Sequence, residues 1–208
     1  MFFKDTFKRF FDEKLIFIIF TNLAMVYSFL KLLINGEGPT FLFYFLISIL
    51  TSLIFREACL SDEIYFEDKK KINKNNIISY ILSKNLFVIF LTSMLVILVF
   101  LLSFLLKYKI VNIKDFFNIL ILILGTLASE NIVLLFYNKP IFTEHPKSMI
   151  GDKYIGKGYI KSFLPSFFID LLITLVFERS SLKYLFIMCY LISIIIFYIR
   201  VKNRRLYD

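Results

Sequence analysis

Apolar positions along the chain gather into six runs, residues 15–35, 40–55, 85–106, 116–136, 162–177 and 184–200. Polar stretches separate them. A bilayer-spanning helix needs roughly 20 mostly apolar residues. The second, fifth and sixth runs are short by that measure, and the others meet it. The polar turn Glu178–Lys183 divides the last two. The pattern predicts an all-α, polytopic membrane protein with six transmembrane helices over residues 15–208.

The first fourteen residues, MFFKDTFKRFFDEK, follow a different rule. Phe3, Phe7, Phe10 and Phe11 recur at spacings of four and three on one helical face. Lys4, Lys8, Arg9 and Asp12 fall on the other. Phenylalanines flanked by cations suit an amphipathic helix lying in the headgroup plane over 1–14. The stripe gives way to an all-round apolar pattern near Leu15, which predicts a bend there. The alternative is a simple extension of the first span.

Composition narrows the class. The chain is 59% hydrophobic and 19% aromatic, with a mean hydropathy of +0.76. A soluble domain of this length has no core large enough to bury so much apolar surface. Charge then sets the expected orientation. When the connections alternate across the membrane, one side receives nineteen of the 25 lysines and arginines and the other six. The rich side holds the N-terminus, the loops 56–84 and 137–161, and the tail. The positive-inside rule places that side, and both termini, in the cytoplasm. The expected location is the cell membrane, with multiple passes. The net charge of +9 reflects topology and anionic headgroups, so no nucleic-acid partner is implied. Both charge signs before the first span and the lack of a small-residue cleavage site argue against a cleaved signal peptide. Cys59 and Cys189 fall in different environments, and no disulfide is expected.

The two large cytoplasmic loops differ in character. Loop 56–84 begins acidic (Glu57, Asp62, Glu63, Glu67, Asp68), turns basic at Lys69–Lys71, and ends in an apolar-periodic segment. That segment, about 72–84, predicts a short separate helix carrying Ile77, Ile78, Ile81 and Leu82, with Asn75 or Asn76 as its N-cap. The acidic cluster lacks EF-hand spacing. Loop 137–161 carries Gly151, Gly156, Gly158, Pro140 and Pro146 and predicts a structured, non-helical connection. Its glycines match neither the Walker pattern nor the dinucleotide fingerprint.

Ionisable residues inside spans are costly and mark candidate sites. Glu130 and Asp170 lie about seven and nine residues from the cytoplasmic ends of their spans. At 1.5 Å per residue the two depths agree to within roughly 3 Å. Three roles stay open for the pair: a structural pair bonded to hydroxyls such as Ser129 or Thr174, the lining of a substrate path, or a proton relay. Asn22 and Thr21 in the first span, and Thr92 and Ser93 in the third, are further polar lining or helix-packing residues. Enzymatic chemistry is not indicated. The single histidine, His145, lies in a loop without a second ligand or a partnered cysteine, and no serine sits in a nucleophile elbow. The expectation is no enzyme and no metal or cofactor in the chain.

The layout resembles the permease subunit of type-2 ABC exporters: an amphipathic N-terminal helix, six spans, both termini inside, and a short helix before span three. INKNNIISYILSK (72–84) is similar to that family's segment of polar residues, aliphatic pair and lysine entering span three. KSMIGDKYIGKGYIKSF (147–163) is loosely similar to the segment before span five. The chain departs from the family in lacking a proline near residues 72–84 and in its very short connection between spans five and six. The resemblance implies an elbow helix over 1–14. It also implies a coupling helix in which Asn75, Asn76, Ile77, Ile78, Ile81 and Leu82 meet a separate ATP-binding cassette subunit. A second permease copy or paralogue would complete the transporter. ATP would be held by the partner, and an amphiphilic substrate such as a lipid or peptide would move outward, past Glu130, Asp170 and Asn22 if they line the path. A proton-coupled carrier using Glu130 and Asp170, and a non-transporting assembly subunit, are the alternatives. The Asn-, Ile-, Lys- and Phe-rich composition suggests a bacterial source.

Overall fold

The computed structural model describes residues 4, 7, 23–24, 27–28, 31, 40–60, 76–105, 113–136, 142–144, 153–155, 157–179 and 181–203. Five α-helices dominate them: α1 (Thr40–Leu60), α2 (Ile77–Leu105), α3 (Ile113–Phe136), α4 (Lys157–Arg179) and α5 (Leu185–Asn203). A 3-10 turn, Ser181–Tyr184, joins α4 to α5. Strands β1 (Phe142–Glu144) and β2 (Lys153–Ile155) pair antiparallel in the connection from α3 to α4, with Thr143 opposite Tyr154. Among the described residues, three segments are long and apolar enough to cross a membrane: Ile77–Leu101, Phe116–Leu135 and Leu182–Arg200. Phe41–Phe55 is a shorter apolar helix. The expected interfacial helix 1–14 and first span 15–35 lie outside the described residues, except that Lys4, Phe7, Leu23, Ala24, Tyr27, Ser28 and Lys31 are helical.

Contacts between side chains fix the relative directions of the helices. Ser48 meets Thr126, and Ser52 one turn on meets Asp170. Tyr44, near the start of α1, meets Phe177 near the end of α4, so α1 and α4 run antiparallel. Gly125 lies against Phe186 and Asn131 against Ser193, so α3 and α5 run parallel. Asn85 meets Tyr190 and Tyr80 meets Phe197, which makes α2 antiparallel to α5. Successive helices thus alternate in direction. One end of the bundle receives the short connections 106–112 and 180–184. The other receives the long connections 61–76 and 137–156.

One helix has a burial pattern inverted relative to a water-soluble bundle. On α4, Ser166, Asp170 and Thr174 are buried at four-residue spacing, while Leu164, Phe168, Leu172 and Val176 form an exposed stripe. Exposed apolar residues likewise run along α2 (Leu86, Phe90, Met94, Ile97) and α5 (Leu185, Met188, Ile192, Ile199). Such a surface is unfavourable in water and is consistent with a membrane protein.

One expectation is corrected. Among the described residues of 72–84, those from 77 onward are not a separate short helix, and 72–75 lie outside the described residues. α2 begins at Ile77 and continues unbroken to Leu105, because the sequence from 77 to 105 contains neither glycine nor proline to end it. Asn76 stands just before it, and its carbonyl accepts the Tyr80 N–H at 2.9 Å. At 1.5 Å per residue α2 is roughly 43 Å long, more than a hydrocarbon core of ~30 Å. Lys84, expected in a cytoplasmic loop, is instead a fully buried residue within α2.

α3 is the central helix, in contact with all four others. Gly125 lets α5 approach it, since a methyl group there would stand 2.9 Å from Cγ of Phe186. Small residues at such crossings let membrane helices pack closely. Gly125→Ala is expected to destabilise the fold by about 1–3 kcal/mol, measured as a lowered thermal midpoint in detergent. In a Phe186→Ala background the same Gly125→Ala change is expected to cost less, because the methyl group then has room.

Candidate functional site

The candidate site is a polar seam where α1, α3 and α4 meet. It is made by spacing. Ser48 and Ser52 are one turn apart on α1, Thr126 and Glu130 one turn apart on α3, and Ser166, Asp170 and Thr174 successive turns on α4. Residues four apart share a helix face. All seven are buried. The Ser48 and Thr126 hydroxyls lie 2.7 Å apart. Ser52 Oγ donates to Asp170 Oδ2 at 2.7 Å. Burying a carboxyl group in apolar surroundings is expensive unless hydrogen bonds offset it, and Ser52 supplies one.

The seam brings the two sequence-predicted carboxyls to one level. From the Ser48–Thr126 contact, one turn along α1 leads to Ser52 and so to Asp170. One turn along α3, which runs the same way, leads to Glu130. Each carboxyl residue is almost fully inaccessible, Glu130 at 0% and Asp170 at 1% exposure. The hydroxyls anticipated as partners go elsewhere. Ser129 Oγ donates to the Thr126 carbonyl at 2.7 Å, and Thr174 Oγ1 donates to the Asp170 carbonyl at 2.8 Å. Both return to their own helix, as hydroxyls three or four residues from a carbonyl do. Ser48, Ser52 and Thr126, which do bond across helices, were not singled out from sequence. Their signal is the i, i+4 placement of Ser48 and Ser52 in an otherwise apolar run.

A second polar group lies between α2, α3 and α5. Asn85 Nδ2 donates to the Tyr190 hydroxyl at 3.2 Å, and Asn131 Nδ2 donates to Ser193 Oγ at 3.1 Å. Ser193 Oγ in turn donates to the Tyr190 carbonyl at 2.7 Å. Lys84, next to Asn85, holds its ammonium 5.6 Å from the Tyr80 ring centroid. Thr92 is buried on the same helix, and Ser93 is partly buried.

The residues expected to meet a partner are not grouped on one accessible face. Ile77 and Ile81 are each 1% exposed and belong to the core, whereas Ile78 and Leu82 are exposed and Asn76 is partly so. The four-residue period sorts them: 77 and 81 face inward, 78 and 82 outward. Asn75 and Asn22 lie outside the described residues, as does His145. Among the described residues, no three of His, Cys, Asp and Glu gather as a metal site.

Chemically the seam presents two carboxyl groups and several hydroxyls in surroundings closed to bulk water. It can accept and pass hydrogen bonds. Comparison with protein-family models, with curated proteins and with solved structures returns no match.

Interhelical hydrogen bonds in membranes contribute roughly 0.6–1.7 kcal/mol. A double-mutant cycle of Ser52→Ala and Asp170→Asn, read by thermal or denaturant unfolding in detergent, is expected to give a coupling energy in that range. Ser129→Ala, whose hydroxyl bonds only within its own helix, is expected to show no coupling to Asp170→Asn.

Proposed function

We propose that the chain is the membrane-spanning permease subunit of an ATP-driven exporter. It works with a separate ATP-binding subunit and a second permease copy or paralogue, and it moves an amphiphilic substrate outward. The observation that carries this reading is the difference between the two ends of the bundle. Alternating helix directions gather the long connections 61–76 and 137–156 at one end and leave only short connections at the other. A soluble subunit that drives the helices needs such an end to hold. The lysines and arginines concentrate in the segments at that end, which on the positive-inside rule is cytoplasmic. On this reading the chain has six spans, a headgroup-level helix over 1–14, and both termini inside the cell membrane. Ile78 and Leu82, exposed in the first turns of α2 beside Asn76, are the side chains available to the ATPase subunit. Ile77 and Ile81 support them from within. The polar seam is the path along which the substrate's polar part is sheltered from hydrocarbon.

Purification of the tagged chain from its own host in mild detergent tests the proposal. A stoichiometric nucleotide-binding subunit is expected to accompany it. Ile78→Asp with Leu82→Asp is expected to release that subunit while the size-exclusion profile stays unchanged. Ile77→Asp and Ile81→Asp are expected to unfold the bundle instead, since each buries a charge in the core. Recovery of the chain alone, without nucleotide-stimulated ATPase activity, would overturn the proposal.

A second reading rests on Glu130 and Asp170 lying buried at one level of the seam. Intramembrane carboxyls placed this way suit a proton-coupled carrier. Under that reading Glu130→Gln or Asp170→Asn abolishes a pH-dependent flux in proteoliposomes that hold this chain only. A flux that requires ATP and the second subunit would exclude it.

A further inference from the structure

Three aromatic rings lie just beyond the seam, toward the end with the short connections. Tyr44 of α1 packs edge-on against Phe177 of α4, centroids 5.1 Å apart. Phe177 stacks on Phe186 of α5 at 6.2 Å. Phe186 rests on the Gly125 backbone of α3, beside Thr126 of the seam. Tyr44 is one turn, about 6 Å, beyond Ser48, and Phe177 is about 10 Å beyond Asp170 in the same direction. The layer therefore draws on α1, α3, α4 and α5 and covers one mouth of the seam. It is held from above. Lys183, in the turn between α4 and α5, donates from Nζ to Asn118 Oδ1 of α3 at 2.7 Å. The same ammonium lies 5.9 Å from the Phe177 centroid and 5.6 Å from that of Tyr184. Attraction between a cation and ring faces, together with the hydrogen bond, ties the turn to the layer.

We propose that Tyr44, Phe177 and Phe186 form an aromatic gate that closes the seam at the short-connection end, latched by the Lys183–Asn118 bond. Packed aromatic rings oppose the passage of water, and hydrophobic constrictions close conduits in this way. The gate opens when the Ser181–Tyr184 turn and the first turn of α5 move away from α3. Rupture of the Lys183–Asn118 bond and separation of Phe186 from Gly125 accomplish this without breaking the Ser52–Asp170 or Asn131–Ser193 bonds. The inference rests on the reading of the seam as a path. It does not require the path to be driven by ATP.

The test uses the full chain with Cys59→Ser and Cys189→Ser, reconstituted in vesicles, and Ser48→Cys as a reporter below the rings. A membrane-impermeant thiol reagent is applied separately to each side. The reporter is expected to be protected from the short-connection side. A closed gate whose open state is populated at roughly 0.1–10% leaves room for an increase in rate of about tenfold or more. Phe177→Ala and the latch variant Lys183→Met are each expected to produce such a rise from that side, while Phe177→Leu keeps the reporter protected. Should Phe177→Ala fail to fold, Lys183→Met reads the gate without altering a ring. A reporter that reacts equally fast in the parent and in Lys183→Met, or stays unreactive in every folded variant, overturns the proposal. Capture of an ATPase subunit alongside an unreactive reporter would retain the exporter reading and discard the gate. The reverse outcome would keep the gate and discard ATP coupling.

Discussion

The arrangement of this bundle depends on the cost of leaving polar side chains in contact with hydrocarbon. The hydrophobic effect does little to hold two lipid-facing helices together, because lipid tails solvate leucine and phenylalanine as well as another helix does. Polar side chains are different. The Asp170 carboxyl meets a donor where α4 turns toward Ser52 of α1, and Thr126 meets Ser48 in the same way. These two contacts orient three helices about a common axis. Asn85 and Asn131, through Tyr190 and Ser193, bind α5 to α2 and α3. Remaining surfaces are apolar and can face any lipid, which is why the exposed stripes of α2, α4 and α5 carry no pattern beyond size.

Close packing adds a second condition. α3 touches every other described helix, and it can do so partly because Gly125 presents no side chain where Phe186 crosses. The aromatic contacts from Tyr44 through Phe177 to Phe186 then occupy the space between α1, α4 and α5 at that level. Beyond them, Lys183 returns to α3 through Asn118. The bundle therefore has a polar middle and, toward its short-connection end, an aromatic layer. Its opposite end carries the long connections. This layering makes the two ends of the bundle physically different.

α2 shows how local signals compete. The segment 72–84 carries a plausible N-cap and a helical period, and a lysine followed by an asparagine interrupts the apolar run at 84–85. A polar pair of that kind reads as the boundary between a surface helix and a span. In the folded chain the pair is interior. Lys84 lies over the Tyr80 ring and Asn85 bonds to Tyr190, so neither residue needs to end the helix. Only the position of α5 reveals this, and nothing within residues 72–85 reports where α5 will lie. The helix start, by contrast, was legible locally: Asn76 has the residue type and place of an N-cap, and its carbonyl accepts the first bond of α2.

The sequence by itself determined that long segments such as 85–101, 116–135 and 184–200 are helical and apolar enough to cross a membrane, and it marked Glu130 and Asp170 as unusual. Both follow from local properties, namely run length, hydropathy and the presence of a charge within a run. Tertiary structure decided which hydroxyl each carboxyl residue would find, that Ile77 and Ile81 face the core while Ile78 and Leu82 do not, and that Lys84 belongs inside. It also brought Tyr44, Phe177 and Phe186 together from three helices. Those outcomes depend on rotation and neighbour choice among helices whose apolar faces are nearly interchangeable. Such choices are made by a few polar contacts between residues 60 to 120 positions apart, and no periodicity within a single segment encodes them.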